Sequence, residues 1–248
     1  MYLSVIIPAY NEEKRLPGTL QSINDYLSLQ SYDYEILVVD NGSTDQTAEI
    51  VRNLTRQIKG LRLIEGSASR GKGFAVKKGI LEAKGNFRIF TDADNSTSIN
   101  QLEKMRPYFK KACPEFAEGG YDIVIGSRDV KGAVLDPPQS WLRNTILGKG
   151  FRLYRKIILG LWSIQDTQCG FKCFTQKAAQ EIFPKCQIED FAFDPEILVV
   201  GKLLGYKIKE IPVYWKNDPD SKVKFKSIIK MAIDLLKIRW NLVCHKYD

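Results

Sequence analysis

Short apolar runs rich in β-branched residues recur through the first half of the chain, at residues 3–7, 35–39, 61–64, 87–90 and 122–125. Runs of this kind are expected for parallel strands covered on both faces. Helical patterns lie between them, and Ser43 with Gln46 and Ser98 with Gln101 stand at capping-box spacing, marking two helix starts. The alternation predicts right-handed crossovers and a doubly wound, mostly parallel α/β sheet, with ligands gathering beyond the carboxyl ends of its strands. The residues able to do chemistry fall there: 8–12 after the first strand, 40–45 after the second, Asp92 and Asp94 after the fourth, and 126–128 after the fifth.

The second half is less regular. Residues 141–162 read as a basic amphipathic helix, residues 170–174 as a short strand, and Asp194 with Pro195 as the N-cap and first position of a helix reaching about residue 204. Residues 208–214 suit an edge strand, since Pro212 cannot donate to a ladder. A last helix over 226–243 places Phe225, Ile228, Ile229, Ala232, Ile233, Leu236, Trp240 and Val243 on one apolar stripe. The expected organisation is one domain over residues 1–220 and a basic amphipathic extension over 221–248 that lies on a membrane surface.

Composition narrows the chemistry. With 248 residues the chain can bury one large core. No uncharged apolar run approaches the ~18 residues of a membrane span, and no signal-peptide pattern follows Met1, so a cytoplasmic protein is expected. Five cysteines at irregular spacing read as free thiols, and the single histidine, His245, makes histidine-based catalysis or metal binding improbable. Carboxylates must do any acid–base or metal work. The net charge of +8 is local: residues 141–165 and 222–248 carry +5 each, leaving the remainder at −2.

The segment Thr91, Asp92, Ala93, Asp94 puts two carboxylates on one face of an extended stretch. Oxygen ligands without histidine or cysteine suit Mg²⁺ or Mn²⁺, which finish their shells with water and substrate phosphates. An ordinary surface turn would also carry such a pair.

In combination these motifs resemble the family-two inverting GT-A glycosyltransferases, a fold built to bind nucleotide-diphospho-sugars. The resemblance is carried by Pro8, Ala9, Tyr10, Asn11, Glu12, Glu13, then by residues 38–45 (Val, Val, Asp, Asn, Gly, Ser, Thr, Asp) and by Asp92, Ala93, Asp94. Gly126, Ser127, Arg128 and residues 166–172 (Asp, Thr, Gln, Cys, Gly, Phe, Lys) resemble the branch that charges polyprenyl phosphates, the dolichyl-phosphate glucosyltransferases and mannose synthases.

The resemblance implies that Pro8, Ala9, Tyr10, Glu12 and Asp40 hold base and ribose, Asp40 serving also as a turn carboxylate. It assigns Asp92 and Ala93 to the ribose or sugar and Asp94 to the metal and diphosphate, with Ser96 a poor third ligand. Gly71, Lys72 and Gly73 would bring backbone N–H groups and an ammonium to the diphosphate, or form a plain glycine turn. Arg128, Arg143, Ser221 and Lys222 would meet the acceptor phosphate, Asp166 would organise the acceptor loop, and Glu196 would lie near the donor sugar. Asp194 is either a site residue or a cap.

The implied activity is metal-dependent transfer of glucose from UDP-glucose to a polyprenyl or dolichyl phosphate by an enzyme peripheral to the cytoplasmic face of a membrane, alone or with a membrane-spanning partner. No nucleic-acid partner is expected. Alternatives are a GDP-mannose-dependent polyprenyl-phosphate mannose synthase, a basic nucleic-acid-binding module, and a membrane scaffold without catalysis.

Overall fold

The apolar runs pair as parallel strands because side chains on both of their faces need cover. The computed structural model describes residues 1–66, 70–109, 120–137, 149–217 and 225–247. In it β1 (Leu3–Ala9), β2 (Tyr34–Asp40), β3 (Leu61–Glu65) and β4 (Phe87–Thr91) are parallel neighbours in the order β3-β2-β1-β4. Beyond β4 the sheet continues with β7 (Phe171–Thr175), β5 (Ile123–Ser127) and β8 (Ile208–Pro212). β6 (Val134–Asp136) and β9 (Tyr214–Lys216) form a separate two-stranded ribbon.

This topology gathers the chemistry at one rim. The strand order reverses between β1 and β4, which opens a crevice beyond their carboxyl ends. β7 runs antiparallel to β4 and β5, with Thr91 opposite Phe171, so the segment before β7 arrives where β4 and β5 end. Asp92, Arg128 and the Asp166–Gly170 loop therefore meet from three distant parts of the sequence.

Alternate side chains feed two core layers. Ile6, Leu37, Val39, Phe90 and Phe174 pack with α3 (Lys72–Glu82), α6 (Gln176–Ile182) and α7 (Phe193–Leu203). Val5, Ile7, Ile36, Val38, Ile89 and Cys173 pack against α1 (Leu16–Leu27), α2 (Thr47–Leu54) and α4 (Leu102–Met105).

Several helix expectations change. α2 starts at Thr47, and its first turn is tied by Asp45, which accepts the Thr47 N–H at 3.0 Å, while Ser43 serves the preceding loop. Ser98 makes no side-chain cap and opens only a short 3-10 turn. α7 begins at Phe193, so Asp194 sits inside its first turn and its carboxylate is drawn to Lys172. Of the expected 141–162 helix, α5 (Lys149–Leu159) is described; it buries Arg155 and Leu159 and exposes Leu153 and Ile157.

The last helix, α8 (Phe225–Val243), has two apolar stripes. The one singled out in the sequence faces out: Ile229, Ile233, Leu236, Trp240 and Val243 are 49–62% exposed. Met231, Leu235, Ile238 and Leu242, offset by two residues and hence on the opposite side, join the core with Tyr247. Periodicity alone could not say which stripe packs. α8 thus shares its core with the sheet.

That sharing can be measured by urea denaturation. Ile238→Ala is expected to lower the unfolding free energy of the whole domain by about 2–5 kcal/mol in a single transition, the usual penalty for a core cavity. Ile233→Ala on the outer stripe should stay within about 0.5 kcal/mol of wild type. Equal midpoints for Ile238→Ala and wild type would mean that α8 is an appendage.

Candidate active site

Two loops at the β1 and β2 ends are laced together. The N–H groups of Asn11, Glu12 and Glu13 donate to Ser43 Oγ (2.9 Å), Thr47 Oγ1 (2.8 Å) and Asp45 Oδ2 (3.2 Å), and Thr44 N–H donates to Asn11 Oδ1 (2.8 Å). Asn11 adopts φ 53°, a conformation that asparagine tolerates better than most residues. Pro8 and Ala9 belong to β1 itself, with Ala9 level with Asp40. Asp40 accepts the Ser43 N–H and hydroxyl. Glu12 gives both oxygens to Arg15, at 2.7 and 2.8 Å, so its expected job as a ribose acceptor is at least shared with a structural one. The Tyr10 ring is exposed beside this laced platform.

The acidic pair lies at the β4 end. Asp92 packs so closely on Gly170 that a Cβ there would come within 2.1 Å of Oδ2. Its Oδ1 is buried and, apart from the Lys72 ammonium 2.5 Å away, has no hydrogen-bond donor. Burial and the neighbouring Asp92 charge raise the Asp94 pKa, outweighing the Ser96 N–H that donates to Asp94 at 2.9 Å. Burial works against the Lys72 charge, but Asp92 and Asp194 overcome it and hold the ammonium protonated. Among the described residues no third His, Cys, Asp or Glu joins the pair. An under-partnered carboxylate oxygen beside a second carboxylate fits a hard divalent cation that takes its remaining ligands from phosphates and water. Ser96 stays beside the pair, its N–H donating to Asp94 and its carbonyl accepting the Lys216 N–H at 2.8 Å.

Gly71 and Gly73 serve close packing. Cβ atoms there would come within 2.4 Å of Glu189 O and 2.6 Å of Phe193 Cβ, and Phe74 N–H already donates to Glu189 O at 3.0 Å. The expected backbone cradle is thereby reduced, and Lys72 is what this turn delivers to the rim.

Lys172 and Asp194 complete the charge pattern. The Lys172 ammonium, fully buried, meets Asp194 and donates to Cys169 O at 2.6 Å. Burial raises the Asp194 pKa even against the charges of Lys172 and Lys72. The signal for this pair was present in the sequence, because a lysine within the apolar β7 run must find a buried anion.

Farther along the rim Arg128 clamps Asp166. Its Nε and Nη2 donate at 2.7 and 3.0 Å, and its N–H donates at 3.1 Å. Burial would raise the Asp166 pKa, but the Arg128 charge and these hydrogen bonds hold the carboxyl well below the usual range. Asp166 is therefore a fixed anion, unsuited to be a base. Two residues missed in the sequence support this loop: Glu210 accepts the N–H groups of Gln165 (2.7 Å) and Asp166 (2.8 Å), and buried Arg155 donates to Thr167 Oγ1 (2.6 Å) and Gln165 O (2.9 Å). Trp215 stacks under the Arg128 guanidinium. Arg143, Ser221 and Lys222 lie outside the described residues.

Glu196 is the residue expected near the donor sugar. It is buried, and its oxygens accept the N–H groups of Gln187 and Ile188 and the Tyr247 hydroxyl, which makes its observed contacts structural. Cys169, Cys173 and Cys186 are buried free thiols, and burial pushes Cys169 up to about 12.

The chain matches the model of "Glycosyl transferase family 2" over residues 4–183. It is 37% identical over 243 residues to a dolichyl-phosphate beta-glucosyltransferase of Trichomonas vaginalis, covering 96% of this chain and 73% of the relative. The human protein of that name is 36% identical over 96% of this chain and 74% of its own length. Among solved structures, mannosyl-3-phosphoglycerate synthase from Rubrobacter xylanophilus aligns with TM-score 0.69 at 16% identity, over 98% of this chain and 74% of that one. Glucosyl-3-phosphoglycerate synthase from Mycobacterium tuberculosis, in complex with Mn²⁺, UDP and glucosyl-3-phosphoglycerate, aligns with TM-score 0.64 at 18% identity, over 96% and 78%. At these identities the structures bear on the fold alone, and both support a GT-A-like arrangement.

The Arg128–Asp166 clamp can be tested by urea denaturation. Arg128→Gln leaves a buried carboxylate uncompensated and should cost about 3–5 kcal/mol at pH 7. The clamp's stabilisation is complete above the unfolded aspartate pKa of about 4 and is lost as pH falls towards the depressed native value, so the two proteins should converge in acid. A variant as stable as wild type at pH 7 would contradict this.

Proposed function

This chain belongs to glycosyl transferase family 2 and is a glycosyltransferase, and from that premise we propose that it moves glucose from UDP-glucose to a polyprenyl phosphate of the dolichyl type, giving a β-linked product. The observation that carries the reading is a rim on which, among the described residues, the acidic side chains are tied to cations, Asp166 to Arg128, Asp92 to Lys72 and Asp194 to Lys172, with no histidine in the loops that form it. An acceptor that needs deprotonation would be poorly served there. A phosphate monoester, with a second pKa of about 6, arrives ready to attack. The acceptor class agrees with the relatives named as dolichyl-phosphate beta-glucosyltransferases.

The residues divide the work. Tyr10 and the laced Asn11–Ser43 platform receive the nucleoside, with Asp40 beneath. Asp92 and Asp94 would hold the divalent cation, Mg²⁺ or Mn²⁺, which when bound neutralises charge on the departing diphosphate. Lys72 adds a protonated ammonium beside the pair. Arg128 spends Nε and Nη2 on Asp166 and keeps Nη1 for an acceptor phosphate, with Arg143, Ser221 and Lys222 as further acceptor contacts.

The outer stripe of α8 gives the enzyme a seat on the bilayer that carries its acceptor. Ile229, Ile233, Leu236, Trp240 and Val243 face out with Lys237 and Arg239 beside them, and Leu153, Ile157 and Trp162 are exposed on and just after α5, which packs against α8. Apolar side chains flanked by cations suit the interface of an anionic leaflet, at about 1 kcal/mol per basic residue. No helix among the described residues is long and apolar enough to cross a membrane. The cytoplasmic leaflet, which is the anionic one, is the proposed location.

Incubation with Mg²⁺, a short polyprenyl phosphate and separate nucleotide sugars, GDP-mannose included, should yield a glycolipid with UDP-glucose. Asp94→Asn should slow turnover by about three orders of magnitude, the scale of charge stabilisation a metal supplies. A glycolipid formed only from GDP-mannose, or undiminished turnover by Asp94→Asn, would contradict the assignment.

A further inference from the structure

Behind the donor cleft lies a buried polar cluster that none of this chemistry uses. Glu196, on α7, accepts hydrogen bonds from Gln187 N–H (2.9 Å), Ile188 N–H (2.8 Å) and the Tyr247 hydroxyl (2.7 Å). Asn241, on α8, donates from Nδ2 to Gln187 Oε1 and to Tyr247 Oη, both at 3.3 Å. Glu196, Asn241 and Tyr247 are each no more than 1% exposed.

The segment they grip, residues 186–193, has its other side against the catalytic rim. Glu189 O accepts Phe74 N–H at 3.0 Å, and Cys186 O accepts the Lys77 ammonium at 2.8 Å. Gly71 and Gly73 press on Glu189 and Phe193 at distances that leave no room for a side chain. The segment is thus a strut, set between the last helix and the turn that carries Lys72. Plain satisfaction of core polar groups would account for the bonds, but an apolar cluster would fill the same space without desolvating a carboxylate. All three members of the cluster bear on the strut or on one another.

We propose that Glu196, Asn241 and Tyr247 are positioning residues for Lys72: they fix the strut on which the Gly71–Lys72–Gly73 turn is set, so that the docked final helix holds the ammonium beside Asp92. The proposal rests on the donor reading above, in which Lys72 meets the diphosphate. It makes α8 two-sided in function, with its outer stripe for the membrane and its inner face for the donor site.

The test is calorimetric binding of UDP with Mn²⁺ to wild type, Tyr247→Phe and Glu196→Gln, repeated for Tyr247→Phe in a Lys72→Met background, together with flotation on phosphatidylcholine–phosphatidylserine vesicles. Each single variant of the cluster should bind UDP about tenfold more weakly, the scale of one hydrogen bond to a charged group, with unchanged flotation. With Lys72 removed, Tyr247→Phe should change UDP affinity by less than about twofold, since coupled residues are non-additive. A purely structural cluster would give the same loss in both backgrounds, or none, and either result overturns the proposal. If the variants fail to fold, hydrogen exchange on wild type decides: UDP with Mn²⁺ should slow exchange of the Gln187 and Ile188 amides, and unaltered rates overturn the proposal. Wild type that binds no UDP refutes the donor reading and this inference together, whereas wild type that binds with unaffected variants refutes this inference alone.

Discussion

The site depends on one interaction, the Lys72 ammonium set against the Asp92 carboxylate. Asp92 and Asp94 stand two residues apart in a partly buried corner, and the charge of Asp92 adds to burial in raising the Asp94 pKa. The corner persists because the charges alternate around it: Asp92 faces Lys72, Lys72 also feels Asp194, and Asp194 is paired with fully buried Lys172. Burial first and the Asp92 charge second raise the Asp94 pKa, and a divalent cation is the natural complement of the acidic pair.

Much of the backbone follows from keeping that corner intact. β7 must run antiparallel to bring Gly170 under Asp92 and Asp166 beside Arg128. Gly71 and Gly73 must lack side chains so that the Lys72 turn can sit on the 186–193 segment. Lys172 must bury its ammonium fully to pair with Asp194. Each of these costs stability or restricts sequence, and each is repaid at the rim.

The sheet was legible because strands covered on both faces leave uninterrupted apolar runs, and the donor loops because strand ends precede them. Pro8, Asp40, Asp92 and Asp94 lie at the rim where the alternation put them. Contacts between distant segments were harder to read. Glu196 two residues after Asp194 reads as a second site acid, yet the two carboxylates bond different partners, one to Lys172 and the other to the 187–188 amides and Tyr247. Glu210 and Arg155 carry no motif, and only the folded loop shows that they bind the backbone around Asp166. In α8 two apolar stripes of equal period compete, and packing against the sheet chooses the one that periodicity did not.

The most direct measurement of the central claim is anomalous diffraction from crystals soaked with UDP-glucose and Mn²⁺. A manganese peak is expected within coordination distance of Asp94 and Asp92, with the diphosphate on its far side and Lys72 turned towards it. Nucleotide bound elsewhere, with no manganese at the acidic pair, would contradict it.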